Sequence, residues 1–508
     1  MSAVVFRQVR AEWTKLRTVR RWTLTLLAAA VVTVVVSLLG ASGAQVSHIG
    51  GKDDLPPTGP DGRGVRDAFQ FVHQEMRGDG TLTAHVASLT SRVEDPRPGG
   101  ASEPWGKAGI MVKASTKPGA SYVALVATAG HGVRLQHDFF HDKGLRSASW
   151  LRLTRSGSRF TAYLSDDGTN WKKAGSVQPR GIPETAQVGV FATSPMHTEM
   201  QRQFGSTSIS DVPAHAVGVF DNVTVAPANP SARPGQGANS GTWTGSAIGA
   251  ARTGPPGEAP PSTVKDGSSV ANGTITVTGS GEIGPLPRGT DLVQRALQGV
   301  LVGLLVTVAV GALYMTSEFR HGLVRTTFTA APRRGGMLAA KSVVLGATVF
   351  LLSLVALLIG FPLAQSRIRS SGFKPPGFPT WSVTDPAALR AIVGSALLVA
   401  LVTVLALACG AIFRHSAAAI ALVLVVVLIP QILAPALPLG AARLLLSVTP
   451  AAGFAVQQSA PHYSFTPEPC LPDEGCYPLS PWVGLAVPCL YVAVALLLAW
   501  WLLRRRDA

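Results

Sequence analysis

The chain has 508 residues, of which 47% are hydrophobic and only 14% charged, and its formal net charge is +16. Its apolar residues are gathered into long runs rather than spread, which excludes an ordinary soluble globular chain. Much of the positive charge flanks those runs, as short cytoplasmic loops do, so the balance is a topological signal and not a nucleic-acid one.

Residues 1–21 come first. Phe6, Val9, Trp13 and Leu16 recur at helical spacing, while Arg7, Arg10, Lys15 and Arg17 fall mostly on other faces. This pattern predicts an amphipathic basic helix lying on the inner membrane surface, with Glu12, Trp13, Lys15 and Arg17 as its interfacial residues. Residues 22–44 form the first apolar run, Trp22–Ala44. Ser42 and Ala44 resemble a cleavage site, but the basic leader and the apolar run are both longer than a signal peptide needs, so the run is read as a retained span.

Residues 45–226 are predicted to be an all-β sandwich. Trp150–Thr154 and Phe160–Ser165 alternate apolar and polar, with Ser156-Gly157-Ser158 between them and Asp166-Asp167-Gly168 after them. Further strands are expected at Thr81–Leu89, Gly109–Ala114, Tyr122–Thr128, Val188–Thr193 and Val217–Val225. Residues 227–292 read as a Pro/Gly-rich stalk in which Thr274–Thr278 is a returning strand.

Residues 293–508 form the membrane domain. Its apolar runs are Ala296–Ser317, Ser342–Ser366, Ala391–Phe413, His415–Leu437 and Trp482–Leu503, and the fourth of these is broken by Pro430 and Pro435. With the first run they make six spans, which place both termini on one side. Arg7, Arg10, Lys15, Arg17, Arg20, Arg21, Arg320, Arg325, Arg333, Arg334, Lys341, Arg414, Arg504, Arg505 and Arg506 outnumber Arg367, Arg369, Lys374, Arg390 and Arg443. The termini are therefore expected in the cytoplasm and residues 45–292 outside. Cys470 and Cys476 fall in the last outer loop, where an oxidising compartment favours a disulfide; Cys409 and Cys489 lie in spans and read as small hydrophobes.

Most catalytic chemistry is missing from the sequence. The spans hold no internal Asp, Glu, Lys or Arg, which weakens an ion-coupled carrier. There is no phosphate-binding loop: Ala101–Ala108 ends in Gly106-Lys107 but lacks the first Gly and the final Ser/Thr. His137 and His141 are four apart without the Glu of a zincin, and no Gly-x-Ser-x-Gly elbow occurs. No catalytic residue, metal site or bound cofactor is assigned. Trp105, Tyr122, His131 and Trp171 have the aromatic character of an outer ligand face, or of sandwich core.

Two inner segments carry a family resemblance. Glu12-Trp13-Thr14-Lys15-Leu16-Arg17-Thr18, before the first span, resembles the N-terminal signature of bacterial type-2 ABC transporter permeases. Glu318-Phe319-Arg320-His321-Gly322-Leu323-Val324-Arg325-Thr326-Thr327, with Ala331-Pro332-Arg333-Arg334-Gly335 and Ala339-Ala340-Lys341, is similar to that family's inner loop. Thr449–Ala455 and the ending Leu502–Ala508 are similar too. The resemblance implies an exporter subunit of the bacterial cytoplasmic membrane that pairs with a second permease subunit and two cytoplasmic ATPase subunits. ATP and Mg would be bound by the ATPase, not by this chain. It also implies a coupling loop made of Glu318, Phe319, Arg320, Gly322, Arg325, Thr326, Thr327 and Arg333. Membrane lipid would be a further partner, and nucleic acid would not.

The large first outer loop departs from that family. It resembles concanavalin-A-like jelly-roll domains at Phe71-Val72-His73, Gly78–Leu82, Trp105–Val112, Trp150–Leu153, Ser165–Gly168 with Trp171, and Phe220–Val223. The expected fold class is thus a six-span α-helical polytopic membrane protein with an inserted all-β jelly-roll sandwich. The rival readings are a non-transporting anchor that displays a glycan-binding domain, and a surface glycosidase using carboxylates such as Asp138, Asp142, Asp166 and Asp167.

Overall fold

The computed structural model describes residues 3–43, 56–94, 101–203, 206–227, 242–249, 264–286, 291–320, 334–460, 462–467, 470–471 and 475–505. Its helices are α1 (Ala3–Thr18), α2 (Arg20–Ser42), α3 (Leu292–Ala296), α4 (Gly299–Arg320), α5 (Arg334–Ser370), α6 (Pro386–Phe413), α7 (Ser416–Leu433), α8 (Leu439–Val448) and α9 (Pro481–Arg505). Among the described residues, six helices are long and apolar enough to cross a membrane: α2, α4, α5, α6, α7 with its Ala434–Ala436 extension, and α9. They overlie the six apolar runs of the sequence. The chain has the make-up of an integral membrane protein that carries a β domain.

Helix α6 is the hub of the bundle. It is the most enclosed of the six helices and packs against α4, α5, α7 and α9. Pro386 opens it at the first turn, where the lost N–H has no partner to lose. Arg414, in the left-handed conformation, closes it. Helices α2, α5 and α9 instead turn Leu24, Val31, Leu39, Leu351, Val355, Ile359, Leu490, Val494 and Leu497 outward. That surface suits hydrocarbon and would be costly in water.

Helices α2 and α4 meet closely because small residues line their contact. A methyl group at Gly299 or Gly303 would collide with Thr33 and Ser37 of α2, and Ser37 Oγ accepts from Gly299 N at 3.2 Å. After α7 the chain bends. Helix α8 and the buried 3-10 segment Pro450–Gln457 lie at 98° to one another, in the manner of a broken or re-entrant element.

The β domain holds β1 (Val65–Asp67), β2 (Phe69–Arg77), β3 (Gly80–Val93), β4 (Lys107–Lys113), β5 (Tyr122–Thr128), β6 (Gly132–His137), β7 (His141–Gly144), β8 (Trp150–Ser156) and β9 (Arg159–Ser165). It continues with β10 (Lys172–Val177), β11 (Thr185–Thr193), β12 (His197–Gln203), β13 (Ser206–Val212), β14 (Ala214–Pro227), β15 (Thr244–Ile248), β16 (Gly267–Ala271), β17 (Thr274–Gly279) and β18 (Ile283–Pro285). Two seven-stranded antiparallel sheets run β10-β9-β8-β3-β14-β17-β16 and β15-β2-β11-β4-β5-β6-β7. Leu82, Leu151, Leu153, Phe160 and Phe220 of the first sheet share a core with Val72, Ile110, Val112, Leu125 and Val190 of the second.

Strands β8 and β9 alternate buried and open positions, as a sheet with one wet face requires. Strands β4 and β5 do not. They are buried on both faces, because a second apolar layer of Val65, Phe69, Phe71, Tyr122, Phe139, Ile248 and Ile283 covers the outside of their sheet. Strands β15 to β18 fall inside residues 227–292, where composition predicts a stalk with one returning strand. Instead they extend both sheets and form the small β1–β18 pair. Their partners lie far away in sequence, so composition alone underrates them.

Candidate functional site

The region with most chemistry lies at one end of the helical bundle. Gly335 of α5 rests against the Trp500 indole near the end of α9, so the start of α5, the end of α9 and α1 share that end. Arg21 over Trp22, Arg504 over Trp500 and Arg505 over Trp501 ring it with basic-aromatic pairs, the residue types that favour a membrane-water interface.

Inside that ring sits a cluster of charges. Lys341 of α5 is fully buried, and its Nζ donates to Glu12 Oε2 and to Glu318 Oε1, each at 2.8 Å. Lys15 pairs with Glu318 as well. Tyr314, one helical turn before Glu318, donates its hydroxyl to Glu12 Oε2 at 2.7 Å, and Lys341 Nζ stands 4.6 Å from the centre of its ring. Trp22 closes the far side of Tyr314 edge-on at 5.7 Å. Two cations thus meet two anions, so the cluster is formally neutral, as burial demands. Its members come from α1, α4 and α5. Helices α4 and α5 are the two helices between which residues 321–333 run.

This arrangement changes the reading of α1. Spacing places Phe6, Val9, Trp13 and Leu16 on one face. The buried side is Val9, Glu12 and Leu16, whereas Trp13 is 47% exposed. The side chain of Phe6 lies outside the described residues. Glu12 can face inward because Lys341 meets it there. Arg17 is exposed. Sequence reasoning noted Lys341 as a charge that sets topology and as the end of the Ala339-Ala340-Lys341 resemblance, gave it no partner, and missed Tyr314 altogether. The available signal was a Tyr and a Glu four apart on the last turns of one span, with a Lys at the mouth of the next.

Of the expected coupling loop, Glu318 is buried in this cluster. Phe319 is half-buried under the Arg414 guanidinium, 5.1 Å from its ring. Arg320 ends α4. Its side chain, together with Gly322, Arg325, Thr326, Thr327 and Arg333, lies outside the described residues.

At the opposite end of the bundle a single carboxylate gathers backbone groups. Buried Asp291 caps α3 by accepting from Val293 N and Gln294 N, and also accepts from Ser459 N, Ser459 Oγ and Ala460 N at 2.6–3.1 Å. Gln294 then reaches Tyr477, and Tyr477 reaches Gln431. Cys470 and Cys476, with Cα atoms 5.1 Å apart, form a disulfide beside this network.

Of the four residues proposed for an outer ligand face or sandwich core, Trp105 and His131 come together, while Tyr122 and Trp171 pack with other partners. Tyr122 is buried in the second apolar layer, edge-on to Phe139 at 4.9 Å, and burial raises its hydroxyl well above its ordinary range. Trp105 is buried with His131 stacked on it at 3.8 Å. Trp171 lies elsewhere, half-buried between Trp150 and the Arg152 guanidinium, its indole N–H on Gly168 O at 3.0 Å. The turn carboxylate Asp167 takes Thr169 N and Asn170 N at 2.9 and 2.8 Å, and these bonds hold it far below the usual carboxylate range. It serves the turn. Among the described residues, no group of three or more His, Cys, Asp or Glu is placed to hold a metal.

No family model matches the chain. No curated protein matches it either. Among solved structures the chain is similar to a functionally unknown protein from Saccharomyces cerevisiae, at 15% identity over 35% of this chain and 85% of that one, with a TM-score of 0.19. It is also similar to SCP-B, an eqolisin-family peptidase solved with the tripeptide Ala-Ile-His, at 10% identity over 42% and 98%, with a TM-score of 0.22. Scores this low carry no argument about fold or activity.

Proposed function

We propose that the chain is the membrane-spanning permease subunit of an ATP-binding-cassette exporter in the bacterial cytoplasmic membrane. It has no phosphate-binding loop of its own, so a cytoplasmic ATPase partner, holding ATP and Mg, supplies the energy. A second permease subunit completes the path. Both termini are cytoplasmic, and the β domain is an extracellular jelly-roll of the concanavalin-A-like class.

The observation that carries this reading is the Glu12–Lys341–Glu318–Lys15 cluster. It joins the two places where the family resemblance falls, the N-terminal helix and the helix ends that flank residues 321–333. A push on that connection moves α4 and α5 together and takes α1 along, because a buried, charge-paired Lys does not let one helix slide past another without baring an ion. Such a joint suits the transmission of force from a cytoplasmic engine.

The test is purification of the full chain in mild detergent. A Walker-motif ATPase should copurify, and the double variant Arg320→Glu with Arg325→Glu should lose it. Recovery of the chain alone under every mild condition, or labelling that puts residues 321–333 on the outside, would sink the proposal.

A further inference from the structure

The end of the helical bundle nearest the β domain carries five cations that the proposed function does not use. Gly64 N of the β domain donates to Pro376 O at this end, at 3.1 Å. The cations are Arg295 of α3, Arg367 and Arg369 in the last turn of α5, Lys374 in the loop that follows, and Arg390 near the start of α6. On the topology read from the sequence, short loops here should be poor in Lys and Arg.

No acid neutralises them. Among the described residues none of the five pairs with a carboxylate. The two acids at this end are engaged by neutral donors. Asp291 takes Ser459 N, Ser459 Oγ and Ala460 N besides capping α3, and Asp385 takes Ser382 N at 2.6 Å.

Two of the cations are held partly inside. Arg390 Nη2 donates to Gln458 O; the next residue, Ser459, is bound to Asp291, whose carbonyl accepts from Arg295 N at 2.9 Å. Arg390 and Arg295 therefore flank one short stretch of chain. Both are half-buried, and the Nε of each is shut from solvent with no hydrogen-bond partner. A guanidinium does not shed its proton, so each Nε–H is a standing donor. An arginine that only lifts its head to water leaves no such group dry.

The remaining arginines border the apolar surface of α5. Leu351, Val355, Ile359 and Leu363 are 46–58% exposed, each four residues after the last, and the same step leads to exposed Arg367. Gln365 Nε2 donates to Leu292 O at 3.1 Å, which ties this turn of α5 to the short helix that bears Arg295. An acyl chain laid along the four apolar side chains would bring its headgroup to the arginines.

We infer that this end of the bundle binds an anionic phospholipid, its phosphate held by Arg295, Arg367 and Arg390 and its acyl chain lying along α5. Guanidinium N–H groups suit a phosphate. Five cations without a free acid among them favour a headgroup of net negative charge over a zwitterionic one. The inference does not depend on the exporter reading.

The experiment is photolabelling of the full chain in phosphatidylcholine nanodiscs with a trace of diazirine-tailed phosphatidylglycerol, or of its phosphatidylcholine counterpart, followed by peptide mapping. The anionic probe should label residues 351–363 about fivefold more than the zwitterionic one. Arg367→Gln with Arg369→Gln should cut that label about tenfold, and Arg295→Lys, which keeps the charge but removes the Nε donor, about threefold. Label beside Trp500 and Trp501, at the other end of the bundle, should persist in every variant, because Arg504 and Arg505 are untouched. Positions 367 and 369 are exposed, and an unchanged melting curve certifies each fold. The inference is overturned by equal labelling with the two probes, or by label on residues 351–363 that survives either set of substitutions. It is equally overturned if micromolar glycerol phosphate displaces the lipid probe, which would make the ligand a soluble phosphate.

Discussion

Lys113 and Lys341, both fully buried, sit in opposite kinds of company. Lys113 of the β domain pairs with Asp67 Oδ2 at 2.6 Å, donates to Ala120 O, and is ringed by Phe69, Tyr122 and Phe139 at 5.6–5.8 Å. Asp67 also takes Gly119 N at 2.7 Å. Burial pulls Asp67 upward and Lys113 downward toward their neutral forms, and their mutual attraction opposes it. Every partner belongs to one domain. Lys341 has no such closed cage. It divides itself between carboxylates on two other helices, one of them 329 residues away in sequence. A buried lysine inside one domain is part of that domain's fold; a buried lysine shared among three helices ties separate elements together.

The strongest way to break this comparison is Lys341→Met. It leaves Glu12 and Glu318 facing one another with Lys15 as the remaining cation, a loss on the order of 3–5 kcal/mol. The melting temperature of the detergent-solubilised chain should fall, and a cysteine placed at Leu16 should become reactive as α1 lifts. If neither changes, α1 is not held by this cluster.

Next comes Lys113→Met, which strands the buried Asp67 carboxylate at about 3 kcal/mol or more, whereas Lys113→Met with Asp67→Asn should recover much of the loss. Denaturant unfolding followed by tryptophan fluorescence reads both. A pair that behaves additively would refute the closed-cage description. Equivalent rescue at the other site should fail, because no single substitution neutralises both partners of Lys341.

Glu12→Gln is milder, at about 1 kcal/mol, since the amide still accepts from Lys341 and Tyr314. It should loosen α1 without unseating Lys341 from Glu318. Labelling intermediate between wild type and Lys341→Met is the expected result.

The smallest effect sharpens the β side of the comparison through a carboxylate with no lysine. Burial pushes Asp138 up, but His137, the Ser121 hydroxyl and the Arg180 backbone N–H outweigh it and hold the carboxyl below its ordinary 3.8. A depressed carboxyl stabilises the fold above that value and loses the contribution as pH falls through the lower, folded value. Stability of the β domain should therefore drop on acidification below about pH 4, and Asp138→Asn should flatten that slope. A slope unchanged by the substitution would assign the acid sensitivity elsewhere.

The local patterns of both regions were legible before any coordinates. Apolar runs located the six long helices, and period-two alternation located β8 and β9, because both signals are carried by neighbouring residues. What the sequence hid was carried by distant ones. Glu12 looks like a misfit on the apolar face of α1 until Lys341 is brought beside it. Tyr122 reads as ligand face or as sandwich core until residues near positions 65 and 283 fold over its sheet. The Phe139 side chain turns inward only because the backbone there accepts a left-handed state, which no pattern of apolar residues announces.

The pairing of Val65 with Pro285, Arg66 with Gly284 and Asp67 with Ile283 gives one last result. The long excursion leaves and returns at a single doorway, and Ser37 already holds the end of α2 to Gly299 at the start of α4. The β domain is thus a cassette plugged into a short hairpin of helices. Excising residues 56–286 and closing the gap with a brief flexible bridge should leave the bundle assembled, so the ornament and its pedestal can be inherited, lost or exchanged independently.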